Sequence, residues 1–160
     1  MGAAIEVRRL ASSDTDLARQ TICTLKNGGP PGNRCLGPAD IRAWLRRPAN
    51  LLVAATEGGI PVGYAIGYLL DRVNEACTML FFYEVEVATS HRRRGIGKRL
   101  VEQMKTVARE ERVVRMWVQT EPGNTPARSL YRDAGGVECP IPDLLYVWTH
   151  QTLNNRPSGS

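Results

Sequence analysis

Seven consecutive residues, Arg92-Arg93-Arg94-Gly95-Ile96-Gly97-Lys98, put four cations and two glycines into one short stretch. Glycine lets a backbone approach an anion with no Cβ in the way, and the cations supply matching charge. Just upstream, Glu84 and Glu86 stand two residues apart in an apolar run, so on a strand they share one face. A carboxylate there can take the proton of a cationic amine, directly or through water. The plainer reading is that both face solvent or pair with the arginines. Downstream, Tyr131 offers a phenolic O–H that can give a proton to a leaving group, or a ring that packs beside Leu130.

These groups need elements to hold them. Residues 80–88 form an apolar, strand-like run, and Ile96, Leu100, Met104 and Val107 make a helical apolar stripe. Strand, basic glycine turn and helix together form the layout of a phosphate cradle, because the first N–H groups of a helix lack intrahelical partners and lie at its positive end. Two familiar phosphate motifs are missing. There is no GxxxxGK[ST], and the three-glycine dinucleotide fingerprint would need glycine where Arg92 stands. What remains is R-x-x-G-x-G, beginning at Arg92.

The rest of the chain reads as alternating short elements. Residues 5–10 alternate like a first strand, and Ser12-Ser13-Asp14 offers helix caps ahead of Leu17, Ile22 and Leu25. Residues 27–37, with Gly28-Gly29-Pro30-Pro31-Gly32 inside them, are the longest irregular stretch. Pro38 suits the first turn of a short helix carrying Ile41, Trp44 and Leu45. These two helices and their loop are the expected acceptor-side wall. Residues 51–56 and 62–70 form β-rich runs joined by a glycine hairpin signal, and residues 114–119 a strand that crossover geometry makes parallel to its predecessor. Residues 127–134 read as a short helix ended by Gly135-Gly136, and residues 144–149 as a last strand. The expectation is one domain over residues 1–153 with a disordered polar tail, 154–160.

Composition narrows the class. A chain of 160 residues buries a core without staples. Cys23, Cys35, Cys77 and Cys139 form no CxxC pair and have no histidine at ligand spacing, so buried free thiols are expected, with no metal site and no disulfide. No segment approaches a membrane span or a secretory signal, and Met1-Gly2 lacks a myristoylation pattern, which points to a cytoplasmic protein without a membrane partner. The net charge of +5 raises nucleic acid as a partner, but the arginines cluster in one turn and on one helix with few aromatics among them. A polyanionic cofactor accounts for them better.

The order β-α-α-β-β-β-(RxxGxG)-α-β-α-β resembles the GNAT acetyltransferase superfamily. That resemblance implies an α/β fold, with a mixed central sheet whose parallel strands splay apart and are flanked by helices. It also implies acetyl-CoA as co-substrate. Asn124-x-x-Ala127-x-x-Leu130-Tyr131-x-x-x-Gly135 resembles the superfamily's second coenzyme block, departing at Gly136 where a bulky aromatic is usual. A narrower likeness, to the aminoglycoside 3-N-acetyltransferases, rests on Tyr83-Glu84-Val85, on His91 to Ile96, on Val118-Gln119, and on Gly123 with Pro126-Ala127 and Leu130-Tyr131. Asn124, Thr125, Glu84 and Glu86 depart from that family's usual residues.

By this resemblance Glu84 is the base, with Glu86 second, and Tyr131 protonates the departing thiolate. Arg92, Arg93, Arg94, Gly95, Ile96, Gly97 and Lys98 bind the pyrophosphate, and main-chain groups of Val85 and Val87 bind the pantetheine as an added strand. Asn124 bonds the pantetheine or caps its helix. A polycationic acceptor needs an acidic pocket, to which Glu84, Glu86, Glu121, Glu138 and Asp143 could contribute. His91 is expected to be an ordinary surface residue of the turn. The implied activity is acetylation of an aminoglycoside 3-amino group, conferring antibiotic resistance. The competing readings are acetylation of a peptide N-terminus, a lysine or a polyamine, and a basic binding module without catalysis. Whether the protein is a monomer or a homodimer is left open by the sequence.

Overall fold

The apolar runs pair edge to edge into one five-stranded sheet. In the computed structural model, which describes residues 3–25 and 35–139, the strands are β1 (Ile5–Arg9), β2 (Asn50–Glu57), β3 (Ile60–Arg72), β4 (Cys77–Val87) and β5 (Arg115–Trp117), adjacent in that order. The first four pair antiparallel, and β5 runs parallel to β4. The helices are α1 (Thr15–Leu25), α2 (Pro38–Leu45), α3 (Ile96–Glu110) and α4 (Thr125–Asp133). The mixed sheet expected from the element order is therefore present. The last strand, the tail, Asp143 and most of the irregular stretch at 27–37 lie outside the described residues.

Strand alternation divides the core in two. Leu51, Val53 and Ala55 of β2 join Ile96, Leu100, Met104 and Val107 of α3, while Leu52 and Ala54 join Tyr64 and Ile66 of β3, Ala18 of α1 and Ile41 of α2. The α3 stripe read from the sequence is completely buried. Its packing against β2, β3 and β4 holds the basic turn at the end of β4. Arg99 reinforces the placement by donating to the Ile5 carbonyl of β1 at 2.9 Å.

Within β4 the alternation slips. Glu84 is opposite Ile66 and Phe82 opposite Gly67, so Tyr83 is an extra residue, a β-bulge. Leu80 and Phe82 face α3 before the bulge, and Val85 and Val87 face it afterwards. The bulge thus turns Glu84 and Glu86 together onto the α1–α2 face.

The cysteine expectation needs correction. Cys23 in α1 and Cys35 just ahead of α2 form a disulfide, their Cα atoms 5.7 Å apart. Cys35 lies against Cys23 near the end of α1, a contact that a separation of 12 residues does not reveal. Cys77 and Cys139 are free, the first half-buried and the second exposed, so neither is a core thiol.

Candidate active site

The basic turn is shaped for an anion by its backbone. Gly95 has φ +76°, left-handed geometry that reverses the chain directly into α3 with no capping side chain over the helix start. Among the described residues no side chain accepts from the N–H groups opening α3, as a phosphate cradle requires. Gly97 also meets a packing limit. A Cβ there would lie 3.3 Å from Leu130 of α4, so its smallness serves the close approach of α3 and α4.

The three arginines divide their labour. Arg92 folds back along β4, donating from Nε to the Val87 carbonyl at 3.1 Å and from Nη2 to Glu86 at 2.9 Å. Arg94 donates to Glu57 at the end of β2, at 2.6 Å. Arg93 is exposed with φ +65°, and neither it nor Lys98 has a side-chain partner among the described residues. The three arginines, alike as cations in the sequence, thus differ: Arg92 and Arg94 are engaged by carboxylates, and Arg93 is not engaged by any described residue.

Beside the turn, β4 and β5 part. They pair only at Met79 with Arg115, Leu80 with Met116 and Phe81 with Trp117. The Ala88 N–H donates to the Val62 carbonyl, so in the antiparallel ladder Glu86 and Glu84 exchange bonds with β3 while Val85 and Val87 turn theirs toward the gap. Those are the two residues expected to hold a pantetheine. Arg92 covers the Val87 carbonyl, leaving the main-chain N–H of Val87 for that purpose.

The carboxylates line the α1–α2 side of the gap. Glu84 Oε1 accepts from the Tyr64 hydroxyl at 2.7 Å. Tyr64 is completely buried, and its phenol is pushed well above the usual tyrosine range, chiefly by burial and then by this bond to Glu84. It stays protonated and locks Glu84 in place. Tyr64 was not singled out from the sequence; the signal was strand register, which lays residue 64 beside β4.

On the opposite side, Tyr131 of α4 packs edge-on against Phe82, ring centroids 6.1 Å apart. With Phe82, Val101, Met116, Val118 and Gly136 it lines a cavity of about 160 Å³ at the β4–β5 gap. Burial raises its pKa, so the phenol keeps its proton at neutral pH, and no described residue bonds its hydroxyl. A wider groove of about 380 Å³ runs between β1 and α3 on the sheet face away from the carboxylates.

Other expected residues are placed differently. Asn124 caps α4, its Oδ1 accepting from the Ala127 N–H at 3.2 Å. Glu138 is bound by Arg128 at 3.0 Å, which withdraws it from any acidic pocket, and Glu121 is exposed in the loop before α4. Gly136 is explained by space: a Cβ would lie 2.9 Å from the Tyr131 carbonyl oxygen, so an aromatic side chain there would force this turn apart. His91 is no plain surface residue, because its Nε2 lies 3.0 Å from Glu57. Among the described residues no helix is long and apolar enough to cross a membrane, and no group of three or more His, Cys, Asp or Glu side chains is placed to hold a metal ion.

Comparison with known proteins agrees with this geometry. Residues 19–135, most of the chain, match the acetyltransferase (GNAT) family model. A streptothricin acetyltransferase of Streptomyces lavendulae is 35% identical over 66 residues, 41% of this chain and 35% of that enzyme, so the match spans about a third of that relative's length. An aminoglycoside acetyltransferase from an uncultured soil metagenomic sample, solved with trehalose, superposes with a TM-score of 0.78 at 20% identity, covering 91% of this chain and 97% of that one. The aminoglycoside N-acetyltransferase AAC(6')-Iy, solved with CoA, gives a TM-score of 0.72 at 20% identity, covering 94% and 97%. At such identities the superpositions speak for the fold, and the family match speaks for the chemistry. The chain belongs to the acetyltransferase (GNAT) family.

Proposed function

We propose that the protein acetylates an amine of an aminoglycoside, with the 3-amino group as the position its motif resemblance favours. The observation that carries this reading is the placement of Glu84, backed by Tyr64, and Tyr131 on opposite faces of one gap between β4 and β5. A small polycationic amine suits the carboxylate side. Glu84 would meet it there, whereas Arg93 and Lys98, which have no side-chain partner among the described residues, lie at the turn and the first turn of α3.

When bound, acetyl-CoA would supply an activated acetyl group, and CoA, released as a thiolate, would need a proton. Arg93, Lys98 and the N–H groups opening α3 would hold its phosphates, and the edge N–H groups of Val85 and Val87 its pantetheine. Glu84 takes the proton of the acceptor ammonium, its carboxylate oriented by the Tyr64 hydroxyl. Glu86 is paired with Arg92, which makes it the lesser acidic group on this face. Tyr131 holds at its phenol oxygen the proton that the thiolate needs.

Thiol release from acetyl-CoA, followed against gentamicin-like aminoglycosides, spermine and short peptides, tests the acceptor class. Turnover with aminoglycosides alone supports the reading, and turnover with peptides alone replaces it. Locating the new acetyl group by NMR separates 3-amino from 6'-amino acetylation, since the chain resembles the first kind of enzyme in motif and one of the second in fold.

A further inference from the structure

One carboxylate far from both acid–base candidates holds the coenzyme turn in place. Glu57 ends β2, at the hairpin to β3, and belongs to no motif of the turn. Its Oε1 accepts from Arg94 Nη2 at 2.6 Å, and its Oε2 lies 3.0 Å from His91 Nε2 and 3.4 Å from Arg94 Nη1. His91 is oriented in turn by Ser90, whose Oγ lies 2.8 Å from Nδ1. The Glu57 side chain is only 20% exposed, and Arg94, followed by His91, holds its carboxyl below the usual carboxylate range. One anion therefore grips the residues on both sides of Arg92 and Arg93.

That grip has a geometric consequence. Arg93 is held at φ +65°, an unfavourable conformation for a residue with a side chain, and Gly95 follows at φ +76°. Something must fix the turn on both sides for Arg93 to stay there. Residues 91 and 94 are those sides, and both are tied to Glu57. We infer that Glu57 is a positioning residue for coenzyme binding: acting through His91 and Arg94, it keeps Arg93 and the N–H groups opening α3 preset for the pyrophosphate. This rests on the reading of the turn as the phosphate cradle.

The test is calorimetric titration with CoA, supported by steady-state kinetics. Glu57→Ala should weaken CoA binding roughly 3- to 10-fold, the range that a network of half-exposed charged contacts supports. Turnover at saturating acetyl-CoA should stay within about twofold, since Glu57 touches neither acid–base candidate. Glu57→Gln, which keeps the volume and one acceptor, should fall between wild type and Glu57→Ala and guards against a folding defect. In an Arg94→Ala, His91→Ala background, Glu57→Ala should cost little more. Unchanged CoA affinity in both Glu57 variants would overturn the inference. So would a loss that adds in full to the Arg94 and His91 losses, or one that lowers kcat as much as kcat/KM. Arg93→Glu in the same titration tells the two layers apart: if it abolishes binding while the Glu57 variants bind normally, only the brace fails, and if it too binds normally, the cradle itself is wrong.

Discussion

Like side chains in this protein do unequal work. Glu84 and Glu86 look interchangeable on a strand, yet one is held by a buried tyrosine and the other is paired with Arg92. Glu84→Gln should therefore lower turnover near neutral pH by roughly 10²- to 10⁴-fold, with part of the loss recovered as rising pH deprotonates the amine unaided. Glu86→Gln should cost much less. A pH–rate series on both variants checks this, and a larger loss at Glu86 would reverse the assignment. Tyr131→Phe keeps the ring that packs on Phe82 and removes the proton, so kcat should fall roughly 10- to 100-fold while CoA affinity and melting temperature hold. Because burial raises this phenol, wild-type kcat should show no loss from Tyr131 ionisation until pH exceeds about 10, the ordinary tyrosine value. An acetyl donor with a more acidic thiol should partly rescue the variant.

At the scale of elements, the joins between β-strands and helices carry the placement. The entry to α1 is one such join: Asp14 accepts from the Ala11 N–H at 2.8 Å and pairs with Arg8 of β1, also at 2.8 Å. The bond to Arg8 is the main cause of its lowered pKa, so the charged form is favoured in the folded state. Its stabilisation is present above the unfolded value near pH 3.9 and is lost as pH falls through the lower folded value. Asp14→Asn should thus cost about 1 kcal/mol at pH 7, with the two urea unfolding curves converging as pH falls toward about 3. A gap of constant size across that range would mean that packing, not charge, is lost. The bulge at Tyr83 also sets placement: Leu80 and Phe82 face α3 before it and Val85 and Val87 after it, a slip that the unbroken apolar run at 79–83 hides and that puts Glu84 on the acceptor face.

For the whole molecule, the local layers were legible and the long-range ones were not. The strand–turn–helix order, the α3 stripe and the parallel return to β5 follow from periodicity and chain handedness, and each is present. Asn124 read equally as cap or ligand, and the structure uses its oxygen as a cap. What escaped were contacts between residues distant in sequence: Tyr64 behind Glu84, Glu57 behind the turn, and Cys35 against Cys23. No spacing rule encodes these, because each depends on strand register or on how separate elements meet. Gly97 illustrates the limit in another way, since the close approach of Leu130 to this motif glycine is a contact between helices that the motif does not encode.

The central claim is that the coenzyme lies along the open edge of β4, between Glu84 on one face of the sheet and Tyr131 on the other. Amide hydrogen exchange, followed residue by residue by NMR before and after adding CoA, tests it most directly. The amides of Val85 and Val87, turned away from β3, should gain protection on binding, while those of Glu84 and Glu86, already in the β3 ladder, should change little. Saturating CoA that leaves the amides of Val85 and Val87 exchanging as fast as before would contradict it.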